Sequence, residues 1–215
     1  MKKIQLQSRN TVPLSQFRPN LLAISDMMSE AMADEYIMSA IRDFCVKSGV
    51  IKRKLEFTLQ PGVRNYPVDL PDEEVVRLTD HPDCCQDCGG FDRTRPYLRF
   101  DRVNQHSRFY WDESAFQLGL NNCDITCAED VCLGVVVQPA ESACEVDAVL
   151  FRRHKECILN GAMYYALTAP RTPWQDKGHA ADYFRLFENC AGAAAVARVL
   201  QHSTGTDRLR NRRML

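Results

Sequence analysis

A chain of 215 residues with 27 basic and 28 acidic side chains carries a formal net charge of −1, which argues against a general duplex-DNA binder, because such a protein needs a basic surplus to release phosphate counterions. Its 45% hydrophobic and 26% charged residues read as a soluble globular chain, one large domain or one core with an insertion, able to bury roughly 70% of its unfolded surface without an obligatory covalent staple. The opening "MKKIQLQSRN" has the lysines of a signal peptide without the apolar core that should follow, and no run approaches the ~20 apolar residues of a membrane span. The protein is therefore expected in the cytoplasm where it is made, or in something assembled there, with no membrane contact.

Residues 1–30 contain Pro13 and Pro19 and little periodicity, and read as an extended arm followed by a turn. Tyr36, Ile37, Ala40, Ile41, Phe44 and Cys45 then recur at helical spacing, with Asp34 placed to cap the helix and Gly49 to end it. In "KLEFTLQPGVRNYPV", Leu55, Phe57 and Leu59 alternate with Lys54, Glu56 and Thr58, which predicts a half-buried strand. Pro61-Gly62 should turn it toward a partner strand around Tyr66 and Val68. "EEVVRL", "YLRF" and "RFYWDESAFQL" read as further strands, and "LGVVVQP", ending at Pro139, as the last one, buried on both faces because its apolar run is unbroken.

Two helices follow. Leu150, Cys157, Ile158, Gly161, Ala162 and Tyr165 form one face of the first, which Pro170 and Pro173 end; Ala180, Phe184, Phe187, Ala191 and Ala195 make the stripe of the second. The predicted class is α+β: a small helical bundle of one N-terminal and two C-terminal helices with an inserted antiparallel β-domain. The expected divisions are 1–50 for the arm and first helix, 51–140 for the β-domain, 141–202 for the two closing helices, and 203–215 for a flexible arginine-rich tail.

The ten cysteines are unevenly placed. Cys45, Cys144, Cys157 and Cys190 stand inside apolar patterns and read as small buried hydrophobes. In "HPDCCQDCGG", Cys85 and Cys88 have the spacing of a zinc knuckle, and Cys123 with Cys127 could complete a tetrahedral site, with His81 and Cys84 as spare ligands. The second pair is Cys-x-x-x-Cys, however, so free thiols, zinc and disulfides formed outside a reducing cell all remain open for the middle of the chain. His-x-Glu beside Pro-Cys-x-x-Cys, the zinc deaminase pattern, is absent, and "GVRNYPV" and "NGAMYY" lack phosphate-loop glycine spacing. His106, His154, His179 and His202 carry no recognisable signature around them, and Trp111 and Trp174 read as packing anchors.

Four stretches taken together resemble the head-to-tail adaptor proteins of tailed, above all short-tailed, bacteriophages. "FRPNLLAISD" with "YIMSAIRDFCVKSG" is similar to the family's opening segment and first helix; "LEFTLQPGVRNYPVDLPDE" to its strand, glycine turn and Tyr-x-Val strand. "VVVQPAESACEVDAVLFRRHKECILNGAMYYAL" resembles its last strand, proline-containing connection and penultimate helix, and "TPWQDKGHAADYFRLFENCAG" its Pro-Trp-x-Asp bend and final helix. Residues 80–130 depart from the family, so the resemblance says nothing about the cysteines there.

The resemblance implies a virion structural protein, without enzymatic activity and without a cofactor. Its homo-oligomeric ring, typically a dodecamer, would sit between the portal protein and the tail tube or nozzle, with genomic DNA passing through. The helical part would make ring contacts and face the portal, and the β-domain would point toward the tail. Arg208, Arg210, Arg212 and Arg213 of the tail are the candidate partner-binding residues: in such adaptors the C-terminal segment reaches along the portal, and the guanidinium fork pairs bidentately with carboxylates. Two alternatives are a zinc-stabilised binding or regulatory module using residues 80–132 and a cysteine enzyme, which would need a histidine beside one thiol.

Overall fold

The computed structural model describes residues 10–79, 109–121 and 127–202. In chain order the elements are β1 (Thr11–Pro13), a 3-10 turn (Leu14–Gln16), α1 (Arg18–Leu22), α2 (Glu30–Ser48), β2 (Lys52–Leu59), β3 (Asn65–Pro67), β4 (Glu73–Leu78), β5 (Phe109–Asp112), β6 (Gln117–Leu120), β7 (Glu129–Pro139), β8 (Glu145–Asp147), α3 (Ala148–Thr168) and α4 (Lys177–His202). Helices and antiparallel sheets together make the chain α+β. It divides into a β unit, Met1–Gln16 with Ile51–Arg153, and a helical unit, Phe17–Val50 with His154–Leu215. The predicted strand "YLRF" lies outside the described residues.

In the β unit, β7 is the middle of a three-stranded sheet ordered β2-β7-β4. Val135, Val136 and Val137 are all fully buried. Side chains alternate between the two faces of a strand, so consecutive buried valines mean both faces are covered, as the unbroken apolar run predicts. β2 pairs with β7 from Lys52↔Val136 to Leu59↔Glu129. The turn at Pro61-Gly62 exists, with Gly62 at φ 79°, yet it does not pair β2 with the strand around Tyr66. That strand, β3, goes to β6 in a separate sheet ordered β3-β6-β5. Val63 donates to the Gln60 carbonyl, and the Tyr66 hydroxyl accepts from Gln60 N at 2.9 Å. The chain between the strands therefore satisfies its polar groups within the turn instead of closing a hairpin. β7 is also not the last strand, because β8 follows it and pairs with β1.

The N-terminal arm brings a second correction. Residues 14–22 are not extended: a 3-10 turn leads into α1, and Pro19 sits in its first turn, where a missing N–H costs nothing. α2 starts earlier than Asp34. Ser29 is the N-cap, its side chain accepting from Met32 N at 3.2 Å. Asp34 instead takes both arms of Arg18, Nε to Oδ1 and Nη2 to Oδ2, each at 2.6 Å. Gly49 does end α2, at φ 60°, a left-handed position that glycine occupies without a Cβ penalty.

Ile37, Ala40, Ile41 and Phe44 of α2, Ile158 and Ala162 of α3, and Phe187 and Ala191 of α4 fill the core of this unit. Gly161 permits the closest approach: a Cβ there would lie 2.8 Å from Phe187 Cδ2 and 3.0 Å from Ala40 Cβ. Phe184, predicted for the buried stripe, is 39% exposed. It lies at the rim, its ring 4.9 Å from that of Tyr164 and the Lys47 ammonium 5.7 Å from its centroid.

Phe187 is fully buried and cannot swing aside, so Gly161→Val should cost about 1–3 kcal/mol by overpacking. The expected reading is a lower denaturant midpoint at unchanged slope.

Candidate functional site

β2 sets the first cluster. Arg53 shares the strand face of Leu55 and Leu59, both buried, so its cation is directed inward and must be paired. Glu73, at the start of β4, accepts from Arg53 Nη2 at 2.6 Å and Nε at 3.0 Å; Asp147, at the end of β8, accepts from Nη2 at 3.0 Å. The fourth contact, Nη1 to the Lys52 carbonyl at 3.1 Å, completes the guanidinium's commitments. Burial alone would lower the Arg53 pKa, but the hydrogen bonds and charges of Glu73 and then Asp147 raise it above its ordinary value. Asp147 also receives Val149 N at 3.0 Å and so caps α3.

A cavity of about 370 Å³ opens beside this cluster, lined by Asp72, Gln138, Cys144 and Glu145 as well as the three ionic residues. Its single guanidinium is already divided between two carboxylates, which leaves the lining acidic and without a free cation for an anionic ligand. The Cys144 thiol is exposed, contrary to the expectation of a buried hydrophobe, because the connection that carries it lies at the surface, with its sulfur 3.9 Å from the Ser142 carbonyl.

The second cluster joins the helices. Lys47 donates to Asp43 at 2.8 Å and to Glu188, lies 5.0 Å from the Phe187 ring centroid, and shares Asp43 with the Tyr165 hydroxyl at 3.3 Å. Desolvation works against its charge, yet hydrogen bonds to Asp43 and Glu188 hold the pKa above the ordinary lysine value. Tyr165 is pushed up, first by burial and then by the Asp43 charge. One ammonium thereby ties α2 to α4 while lying over aromatic rings.

A third feature was invisible to periodicity. Cys157 on α3 and Cys190 on α4, both expected as simple buried hydrophobes, form a disulfide with their Cα atoms 5.9 Å apart. They are 33 residues apart in sequence, and a cross-link closing a loop of that size contributes about 3–4 kcal/mol in the chain-entropy picture. Cys45 is buried on α2, as expected.

The remaining candidate residues divide by location. Arg208, Arg210, Arg212 and Arg213 lie outside the described residues, as do Cys84, Cys85, Cys88, Cys123, His81 and His106. Cys127 is exposed. Among the described residues no three histidine, cysteine or acidic side chains gather as a metal site, and no helix is long and apolar enough to cross a membrane. His154 packs its ring 4.9 Å from that of Phe44. His179 Nδ1 lies 2.6 Å from Asp176 Oδ2, while Asp176 Oδ1 accepts from Gly178 N and His179 N to cap α4. Trp174 is buried as a packing anchor. No protein-family model matches the chain, and no curated protein matches it.

Arg53→Leu should destabilise the fold by roughly 3 kcal/mol, because it removes the half-buried guanidinium from which both Glu73 and Asp147 accept; chemical denaturation measures this. The Asp176 hydrogen bond and charge raise the His179 pKa above 6.5, and the same contact, first among several, lowers Asp176 below 3.8. The His179 contribution is complete below pH 6.5 and lost as pH rises through its raised value; that of Asp176 is present above pH 3.8 and lost as pH falls through its lowered one. NMR titration should place His179 above 6.5 and return it toward that value in Asp176→Asn.

Proposed function

We propose that this chain is a virion structural subunit: an adaptor whose copies form a ring between the portal and the tail of a tailed, short-tailed phage, with the genome passing through the ring. The observation that carries this reading is the order of four sequence stretches that resemble such adaptors. They fall on α1 and α2, on β2 through β3, on β7 through α3, and on the bend with α4. Each stretch is short and ordinary in composition by itself; their succession is what distinguishes them.

Two features support the reading. The helical unit is drawn from two segments separated in sequence by the β unit, the same succession of helix, strands and two helices that the resemblance implies. α4 also carries exposed apolar side chains. Leu186 and Val196 are 52% and 58% exposed, and with Ala193 they project away from the side that buries Ala180, Phe187 and Ala191, given 100° per residue. Side-by-side packing of ring subunits would cover these side chains, which stand among Asp182, Arg185 and Asn189 on the same side of the helix. Arg208, Arg210, Arg212 and Arg213 would then be the residues that reach along the portal and pair with its carboxylates.

Mass photometry of the full chain, alone and mixed with portal rings of the same particle, tests this. The expected result is added mass on each portal ring equal to about twelve subunits, with weaker attachment when residues 204–215 are deleted. Portal rings whose mass does not change would overturn the reading.

A further inference from the structure

We propose that Cys157 and Cys190 form a reversible redox clamp on the helical unit, open as two thiols in a reducing compartment and closed as a disulfide in an oxidising one, with the helices packed alike in both states. The inference stands apart from the adaptor reading and rests on four observations.

The helices have an apolar contact besides the bond. Gly161 lies against Phe187, and Ile158 and Ala162 of α3 and Phe187 and Ala191 of α4 are buried, so packing holds α3 beside α4 when the bond opens. In the bonded form the Cα separation of 5.9 Å falls inside the range that a disulfide spans, so the closed clamp does not force the helices apart or together.

The open state is also accommodated. The Phe187 carbonyl oxygen lies 3.7 Å from the Cys157 sulfur and 3.4 Å from the Cys190 sulfur. Reduced thiols, which are weak donors, therefore have an acceptor beside them and do not become unsatisfied when the bond opens.

Access is asymmetric. Cys157 is 6% exposed, whereas Cys190 is half-buried. With a small disulfide such as oxidised glutathione as oxidant, the Cys190 thiolate attacks one glutathione sulfur, breaking that S–S bond and releasing one glutathione thiolate. The Cys157 thiolate then attacks the Cys190 sulfur of the mixed disulfide and releases the second. The two cysteines lose two electrons and two protons, and the two released thiolates take up the protons. Reduction runs the same exchange backwards, entering at the more exposed Cys190.

The separation of 33 residues makes closure consequential, since linking positions that far apart restricts the unfolded chain substantially. For a unit of this size the melting temperature should rise by about 10 °C or more on closure.

The test equilibrates the full chain in glutathione buffers of graded ratio, quenches with an alkylating reagent, maps Cys157 and Cys190 by peptide mass spectrometry, and records far-UV circular dichroism with thermal melts. We expect the bond to open in excess reduced glutathione and close in excess oxidised glutathione, at constant helicity. The melting shift of about 10 °C should vanish in the Cys157→Ala/Cys190→Ala variant. Mapping this one pair separates it from the exposed Cys127 and Cys144. Loss of helicity in reduced wild-type protein would overturn the clamp, because the bond would then be a condition of folding. So would a pair that stays bonded in reduced glutathione, or one that never cross-links in the oxidised form.

Discussion

Around Val135–Val137, strand β7 is hydrogen-bonded along both edges and buried on both faces, and the main sheet of the β unit is built around it. Val135, Val136 and Val137 have no exposed side, so β2 and β4 must lie on either edge and other side chains must cover both faces. The constraint has little tolerance for slippage. Moving a strand by one residue exchanges its two faces, which on β2 would turn Leu55 and Leu59 out and Lys54 and Glu56 in. β4 meets the same central strand with an irregularity between Val75 and Arg77, as expected where an extra residue is absorbed without losing the pairing on either side.

Each unit contains one cation shared by two carboxylates from different elements. Arg53 joins β2 to β4 and β8 through Glu73 and Asp147; Lys47 joins α2 to α4 through Asp43 and Glu188. Desolvation opposes the charge of both, so neither arrangement is an efficient source of stability compared with apolar packing. What they contribute is register. The Arg53 fork reaches Glu73 only with β4 in its observed alignment, and the Lys47 ammonium lies over Phe184 and Phe187 only with α4 at its observed height. This commitment also explains why the cavity beside Arg53 is acidic: its guanidinium is occupied in holding strands together.

The cysteines illustrate how far residue type alone can mislead. Four stood in similar apolar contexts, yet Cys45 is buried, Cys144 is exposed, and Cys157 and Cys190 are bonded to each other. A thiol's role depends on what lies within a few ångströms, and sequence context reports only the neighbours along the chain. The same limit applies to Asp34. Its position near the start of a helical pattern suggested a cap, but Arg18, sixteen residues earlier, claims both of its oxygens, and Ser29 caps instead.

Neither Arg53 nor Glu73 was singled out in the sequence, although strand parity carried a signal for both. Arg53 and Glu73 fall on the inward parity of their strands, alongside Leu55 and Val75, and a charge at such a position signals a buried partner. Asp147 as the third member could not have been read, since it lies 94 residues from Arg53 and comes from a strand of only three residues. By itself the sequence determined α2 apart from its first turn, β7, α3 and the buried side of α4 apart from Phe184, because hydrophobic period, the Gly49 cap and the prolines after α3 act over one or two turns of chain. Only the tertiary structure decided that β2 pairs with β7 rather than with the strand after its turn, that Cys157 meets Cys190, and that Arg53 and Lys47 each hold two carboxylates. Those outcomes turn on contacts between residues remote in sequence, whose energies appear only once the elements have packed.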